Sequence, residues 1–380
     1  MSGSLSQPPA AGGRLEFPAV DVLRAIAALL VLVYHVIEIG RWTGFPVTGP
    51  LLVVRAGWIG VDLFFVISGF VIGLSALQGH AREGAAFRAP FARRRLARIV
   101  PLYALTALAF LLLVEPSLLS APLRTLATHL GSHALFLHNL HPNTHGSING
   151  PNWSVALEMQ FYAAMMFAAP WLARSTPLRV LPALVLLAWA WRAAVAWFVG
   201  PGVDHAHLLH VYSSQLPGTL DAFGFGIVLA MAIAGGHRSI AAMLAQSWRN
   251  FALWSLAFAV LFAAAMEVYW PRASYWDRPA MIVLWRTLLA ASFCCLVAAA
   301  VALPAQRALA LRPLRYLGEI SYGIYLWHLP VLLTMVAVPG LAGERLMWRV
   351  LACTLVLAAF SWHFFERPFV RRAHQRPAPG

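Results

Sequence analysis

Ten apolar stretches, each long enough to cross a bilayer as a helix, take up most of this sequence. In hydrocarbon only helices and closed barrels satisfy their own backbone hydrogen bonds, and about 20 apolar residues make one helical span. The composition, 60% hydrophobic and 11% charged, excludes an ordinary soluble domain. We therefore predict an all-α integral membrane protein, a bundle of about ten transmembrane helices. The predicted spans cover residues 19–39, 57–78, 99–115, 151–173, 178–199, 208–234, 250–270, 280–303, 314–338 and 345–365.

The basic charge of the chain follows this pattern of spans. Its net charge of +14 comes from 28 arginines against 14 acids, with no lysine, and the arginines concentrate in alternate connections. Positive loops stay in the cytoplasm, so both termini are predicted to be cytoplasmic, and no nucleic-acid partner is needed to explain the charge. We predict a disordered cytoplasmic leader over 1–17, a membrane domain over 18–368 and a cytoplasmic tail over 369–380.

The first span carries four ionisable side chains in an otherwise apolar helix. Asp21, Arg24, His35 and Glu38 fall on one arc of roughly 100°. Asp21 and Arg24 can extend to the membrane interface, but His35 lies about three turns further along the same face. Ionisable groups at membrane depth are costly and usually serve a purpose, so His35 is a candidate functional residue.

Later spans add further polar groups. Asp62 lies in the second span, and Ser154, Glu158 and Tyr162 recur every four residues in the fourth. Asp221 lies in the sixth span, and Ser321, Tyr325 and His328 share a face of the ninth. Any of these could be a buried hydrogen bond that only aligns helices. Their number favours another arrangement, in which His35, Asp62, Glu158 and Asp221 converge in one interior cavity.

The segment between the third and fourth spans is rich in histidine but does not predict a metal site. No carboxylate or cysteine accompanies its five histidines, and composition alone is weak evidence for a metal site there or at the later trio. These are His129, His133, His138, His141 and His145, then His205, His207 and His210.

The polar groups suit acyl transfer. A histidine beside carboxylates can act as a general base, and a carboxylate can hold its tautomer. The Arg93–Arg98 run can bind a ligand with several phosphates, although an arginine run can also be a simple topology anchor. The chain has no G-x-S-x-G motif of a serine nucleophile.

Five stretches together resemble the acyltransferase 3 family of bacterial integral membrane acyltransferases. Each motif alone is modest, but all five occur in order at the expected spans, and a Phe-Glu-Arg-Pro sequence at 365–368 closes the last span. The stretches are Asp21-Val-Leu-Arg24 through His35, 57–70 (Gly-Trp-Ile-Gly-Val-Asp through Ser-Gly-Phe), Arg95-Leu-Ala-Arg98 through Pro101, Asn152-Trp-Ser through Glu158 and Tyr162, and 318–328 (Gly-Glu-Ile-Ser-Tyr-Gly-Ile-Tyr-Leu-Trp-His).

The resemblance implies a bacterial inner-membrane O-acyltransferase that moves an acyl group, most often acetyl, from acyl-CoA to a sugar-bearing acceptor. It implies His35 as the catalytic base and a binding role for three arginines, Arg24, Arg95 and Arg98, toward the acyl donor. Asp62 and Glu158 match acids of family motifs, although Met159 replaces the second acid of the commoner Glu-Glu form. The predicted catalytic set is His35, Asp62 and Glu158, and the predicted substrate-binding set is Asp221, Tyr325 and His328.

The expected reaction needs no bound cofactor or metal, with acetyl-CoA or another acyl-CoA as donor substrate. His35 takes the acceptor's proton, or forms an acyl-histidine relay, and Asp62 or Glu158 orients His35 or the acceptor. Some family members append an extracytoplasmic SGNH hydrolase-like domain. The chain ends twelve residues after Pro368, so we expect transfer by the chain alone or with a separate extracytoplasmic partner.

Two other functions fit a ten-span chain. A transporter of a sugar, drug or lipid-linked intermediate also carries charges at the membrane midplane. A membrane scaffold without catalysis would leave the interior histidine and acids unused. The acceptor, the acyl chain length and the oligomeric state are open at this stage.

Overall fold

A computed structural model describes residues 17–374 except 236, 273–277, 305 and 307–311, and every element in this part is helical. The predicted leader, apart from Phe17, and tail residues 375–380 lie outside the described residues. The α-helices are α1 Pro18–Ile39, α2 Gly60–Glu83, α3 Arg88–Leu113, α4 Leu123–Ala134, α5 Asn152–Leu172, α6 Pro177–Phe198, α7 His205–Ser213, α8 Leu220–Ala234, α9 Arg238–Met243, α10 Trp248–Tyr269, α11 Arg286–Ala302, α12 Arg312–Glu319, α13 Ser321–Val336, α14 Gly343–Ser361 and α15 Arg367–His374. Shorter 3₁₀ segments are Pro50–Ile59, Gly84–Phe87, Pro116–Ser120, His138–Leu140 and Leu216–Thr219, and π-helical turns are Met281–Trp285 and Trp362–Glu366.

Seven helical stretches of the described chain are long and apolar enough to cross a membrane. One of them, Pro50–Leu113, is a continuous helical run of 64 residues that contains both α2 and α3, and α13 is a shorter apolar helix. The all-α membrane class is therefore confirmed, while the count of ten spans and the cytoplasmic location of both termini stay predictions. The stretches are Pro18–Ile39, Pro50–Leu113, Pro177–Phe198, Leu216–Ala234, Trp248–Tyr269, Met281–Ala302 and Gly343–Ala373.

Helices α2 and α8 pack with their backbones in close contact. A Cβ atom on Gly69 would lie 2.1 Å from the Phe223 carbonyl oxygen, and one on Gly226 would lie 2.1 Å from the Val66 carbonyl oxygen. No side chain fits in that space, so both positions require glycine. Glycine at these two positions lets the two helix backbones approach each other.

Two predicted spans are interrupted, and one begins earlier than expected. The 208–234 span breaks into α7 and α8 around Pro217, whose ring removes a backbone donor, and the 314–338 span breaks at Ile320 between α12 and α13. Helix α3 already begins at Arg88, so the arginine motif lies on a helix rather than in a loop before the span.

Helices α6 and α10 form an apolar outer surface. Within an apolar 18-residue stretch of each helix, only 22% of α6 and 11% of α10 is buried inside the protein. Their exposed side chains are large and hydrophobic, as lipid contact requires. Examples are Leu186, Leu187, Trp197, Phe198, Leu253, Leu256 and Val260.

Candidate active site

Two histidines from opposite ends of the sequence meet side by side. His35 Nδ1 on α1 lies 3.1 Å from His328 Nε2 on α13, and the ring centroids are 5.0 Å apart. His328 is fully buried and His35 is half-buried. Each ring also bonds a carbonyl of its own helix, His35 that of Val31 at 3.0 Å and His328 that of Tyr325 at 2.6 Å. The predicted base and a predicted substrate contact therefore form one unit, which we call the histidine pair.

Apolar packing and a proline hold the histidine pair in place. Leu32 of α1 and Ile324 of α13 belong to one buried cluster that joins the two helices. Pro330 has no N–H, so the Leu326 carbonyl lacks its usual helical donor. Asn149 donates from Nδ2 to that carbonyl at 3.0 Å, which ties the segment before α5 to α13 within a turn of His328.

A cavity of about 990 Å³ lies beside the pair, with walls from α1, α2, α3, α5 and α13. Arg24 lines the cavity and lies on α1, roughly three helical turns from His35. We therefore call the side of the cavity with the arginines its arginine end, and the side with Tyr325, next to the histidine pair, its histidine end. Tyr325 lines the cavity, and its ring centroid lies 5.7 Å from that of His328. Neither histidine lines the cavity itself. Its polar lining includes Arg24, Ser68, Arg82, Glu83, Arg94, Arg95, Arg98, Ser154, Glu158, Tyr162, Ser321 and Tyr325.

Arg95 reaches into the cavity with hydrogen-bonding capacity to spare. Its Nη2 donates to Ser75 Oγ at 3.3 Å, and its guanidinium carbon lies 5.4 Å from the Phe91 ring centroid and 5.8 Å from that of Tyr162. Its Nε is buried and has no hydrogen-bond partner among the described residues. A buried N–H donor of this kind is energetically costly unless a ligand accepts a hydrogen bond from it.

Arg98 combines a place in the cavity wall with a structural contact. Its Nη1 lies 3.1 Å from Glu366 Oε2, and its Nη2 donates to the Glu319 carbonyl at 2.8 Å. The guanidinium also lies over the Trp362 ring, 4.6 Å from its centroid. Arg98 therefore joins α3 to the ends of α12 and α14, and its substitution would disturb the fold as well as the cavity.

The polar face of α5 points into the cavity. Ser154, Glu158 and Tyr162 all line it, as their spacing of four residues predicts. Ser68 Oγ donates to Glu158 Oε1 at 2.7 Å, and the hydroxyls of Ser154 and Tyr325 are 2.7 Å apart.

The predicted convergence of four side chains in one cavity is wrong, because Glu158 lines this cavity while His35, Asp62 and Asp221 do not. Asp62 accepts hydrogen bonds from Arg286 Nε and Nη2 at 3.1 and 2.9 Å, and Asp221 pairs with Arg192 at 2.5 Å. Burial of these charges among the helices requires a partner for each, and the arginines provide it. Neither acid predicted to orient His35 contacts it, since Glu158 bonds Ser68 and Asp62 bonds Arg286. The side chain that His35 contacts instead is His328.

The histidines between α3 and α5 pack with one another. The His133 and His138 rings stack at a centroid distance of 3.7 Å, and His133 Nδ1 bonds the Tyr103 hydroxyl at 2.8 Å. Burial lowers the pKa of His133 to about 3 and that of His145 to about 3, so both are neutral at physiological pH. The described chain contains no group of three or more side chains arranged to hold a metal ion.

Comparison with known proteins decides the family. The family model described as an acyltransferase domain, Acyl_transf_3, matches residues 17–365. The chain is a member of the acyltransferase 3 family. The match takes in nearly all of this acyltransferase 3 protein. No solved structure gives a significant match.

Several relatives of this acyltransferase 3 protein carry informative names. Peptidoglycan O-acetyltransferase OatA of Listeria monocytogenes is 26% identical over 382 residues, with 93% of this chain and 56% of the relative covered. O-acetyltransferase OatA of Staphylococcus aureus is 23% identical over 395 residues, covering 93% and 57%. BcsY of Komagataeibacter xylinus, a candidate membrane-bound transacylase, is 28% identical over 364 residues, covering 92% and 81%. The chain spans little more than half the length of the OatA proteins.

Several residues of the site were not assigned a role from the sequence. The partners of Asp62 and Asp221 are Arg286 and Arg192, which lie deep in predicted spans, where the sequence predicts at most a buried hydrogen bond that aligns helices. Glu366, the partner of Arg98, belongs to the Phe-Glu-Arg-Pro sequence that closes the last span. Charge balance is the signal that could have found them, because a buried acid implies a buried base nearby.

Proposed function

We propose that this protein transfers an acetyl group from acetyl-CoA to a hydroxyl of a cell-surface or exported glycan, in the bacterial inner membrane. One observation carries the proposal: a cavity walled by arginines leads to Tyr325, directly against the His35–His328 pair. The names of the OatA relatives support acetyl transfer to peptidoglycan-like glycans.

The arginine end of the cavity suits the phosphates of CoA. Arg24, Arg94, Arg95 and Arg98 all line it, and arginine binds phosphate oxygens through paired N–H donors. The rise from Arg24 to His35 is roughly 16 Å, a distance that the extended pantetheine arm can cover. The thioester would then lie near Tyr325, at the histidine end.

In the proposed reaction, the acceptor hydroxyl oxygen attacks the thioester carbonyl carbon while His35 takes the hydroxyl proton. The new C–O bond forms, the C–S bond breaks, and the proton passes from His35 to the departing CoA thiolate. His35 is half-buried and lies outside the cavity, so the acceptor has its own approach to it. An acyl-histidine relay uses the same groups in two steps.

The test is release of CoA from acetyl-CoA by the purified protein in lipid nanodiscs, with and without envelope glycans. We expect glycan-stimulated CoA release, with acetyl esters on the glycan detected by mass spectrometry. The absence of release across several acyl-CoA lengths and acceptors would contradict the proposal. Accumulation of unmodified glycan inside proteoliposomes would favour the transporter.

We expect Arg95→Gln to raise the KM for acetyl-CoA about 10- to 100-fold, because a charged hydrogen bond contributes about 1.5–3 kcal/mol. The kcat should change far less, since Arg95 contacts Ser75, Phe91 and Tyr162 and not the histidine pair. The matched control is Arg345→Gln at the exposed start of α14, which should leave KM unchanged. Equal KM values for wild type and Arg95→Gln would remove Arg95 from the donor site.

A further inference from the structure

The protonation pattern of the histidine pair follows from its neighbours. The Tyr325 carbonyl oxygen can only accept a hydrogen bond, so His328 Nδ1, 2.6 Å away, carries a proton. In a neutral His328 the other nitrogen, Nε2, then has a free lone pair. That nitrogen faces His35 Nδ1 at 3.1 Å and can only accept from it.

The same reasoning fixes the tautomer of His35. Both groups within hydrogen-bond distance of its Nδ1 are acceptors, the Val31 carbonyl at 3.0 Å and His328 Nε2 at 3.1 Å. His35 Nδ1 therefore carries the proton and donates it. In the neutral ring this leaves the lone pair on Nε2, which is the nitrogen that a general base needs.

We propose that His328 is a positioning residue, which holds His35 in the tautomer with a basic Nε2 and fixes its ring for catalysis. The inference rests on the proposed function and replaces the substrate-binding role predicted for His328. A neutral imidazole thus takes the place that a carboxylate holds in a Ser-His-Asp triad. When His35 gains a proton at Nε2, its Nδ1–H still donates to His328, so the pair needs no rearrangement during the reaction.

The burial of His328 supports this role over a substrate contact. Its exposed fraction is 0% and it does not line the cavity, so a ligand there meets Tyr325 first. Its two ring nitrogens are both engaged, one with the Tyr325 carbonyl and one with His35. No nitrogen of His328 is left to bind substrate.

The first test compares His328→Leu with His328→Gln. Leucine fills the space but cannot accept from His35, so we expect kcat to fall at least about 100-fold with an unchanged KM for acetyl-CoA. Glutamine reaches about as far as Nε2, and its oxygen accepts the same hydrogen bond. We therefore expect His328→Gln to regain most of the lost kcat. Wild-type kcat in His328→Leu, or no recovery in a folded His328→Gln, would overturn the inference.

The second test needs no activity. Nitrogen-15 NMR of histidine-labelled protein reports which ring nitrogen carries the proton, and a His35→Ala sample identifies the His35 signals among the 14 histidines. We expect protonated Nδ1 and bare Nε2 at His35 in the wild type. In His328→Leu only the Val31 carbonyl still accepts from Nδ1, so we expect a larger share of the Nε2-protonated tautomer than in the wild type. An Nε2-protonated His35 in the wild type would overturn the inference. If the tautomer is as expected but no acyl transfer occurs, the proposed function fails and the hydrogen-bond assignment stands.

Discussion

Substitution of His35 by alanine is expected to lower the rate of acetyl transfer about 10²- to 10⁴-fold, the range that a positioned general base contributes. In the histidine pair, Nε2 of His35 is the ring nitrogen that is left to accept a proton, because both nitrogens of His328 are engaged. The fold should persist, because His35 is half-buried and the α1–α13 contact depends mainly on apolar residues. The measurement is glycan-dependent CoA release in nanodiscs.

The matched control for this variant is His141→Ala. His141 is exposed and lies outside the histidine pair, so its loss should leave transfer unchanged. Normal transfer by a folded His35→Ala protein would exclude His35 as the base. Incubation of the wild type with labelled acetyl-CoA and no acceptor separates the two routes, because only a relay leaves the label on the protein.

Substitution of Asp221 by leucine is expected to reduce the free energy of unfolding by about 3–5 kcal/mol, the cost of leaving one charge of a buried pair without its partner. Arg192 has an exposed fraction of 0%, and Asp221 Oδ2 accepts from both Arg192 and Thr287 at 2.5 Å. Without the Asp221 carboxylate, the hydrogen-bond partner that remains for Arg192 among the described residues is the Thr287 hydroxyl, at 2.9 Å. The measurement is chemical or thermal unfolding in detergent.

The double variant Arg192→Met with Asp221→Leu is the control that separates structure from substrate binding. Removing both charges avoids the unpaired ion, so we expect stability within about 1–2 kcal/mol of the wild type. If Asp221 is purely structural, the double variant also transfers acetyl normally. Stability equal to the wild type in Asp221→Leu alone would contradict the ion-pair account, and loss of transfer in a stable double variant would restore Asp221 to the substrate site.

Local spacing was a reliable guide wherever one helix supplies the feature. The four-residue interval of Ser154, Glu158 and Tyr162 put them on one face of α5, and they share the cavity. Such spacing is informative because helical periodicity is a property of the chain itself.

Pairings between distant helices could not be read from spacing. His35 and His328 lie 293 residues apart, and Asp62 and Arg286 lie 224 apart. The sequence shows that such polar groups need partners, but the bundle's packing decides which partner each one meets. A carboxylate beside His35 is a chemically reasonable prediction, but the side chain that the bundle places there is His328.

The arginine wall of the cavity has a consequence for self-modification. The chain contains no lysine, so every positive side chain along the cavity is a guanidinium. A lysine amine becomes nucleophilic when burial favours its neutral form, and it would then attack a bound thioester. A guanidinium stays protonated and does not. Under the proposed function, an activated acyl group in this cavity would therefore meet cations that bind it without reacting with it, and the protein would not acylate its own binding site.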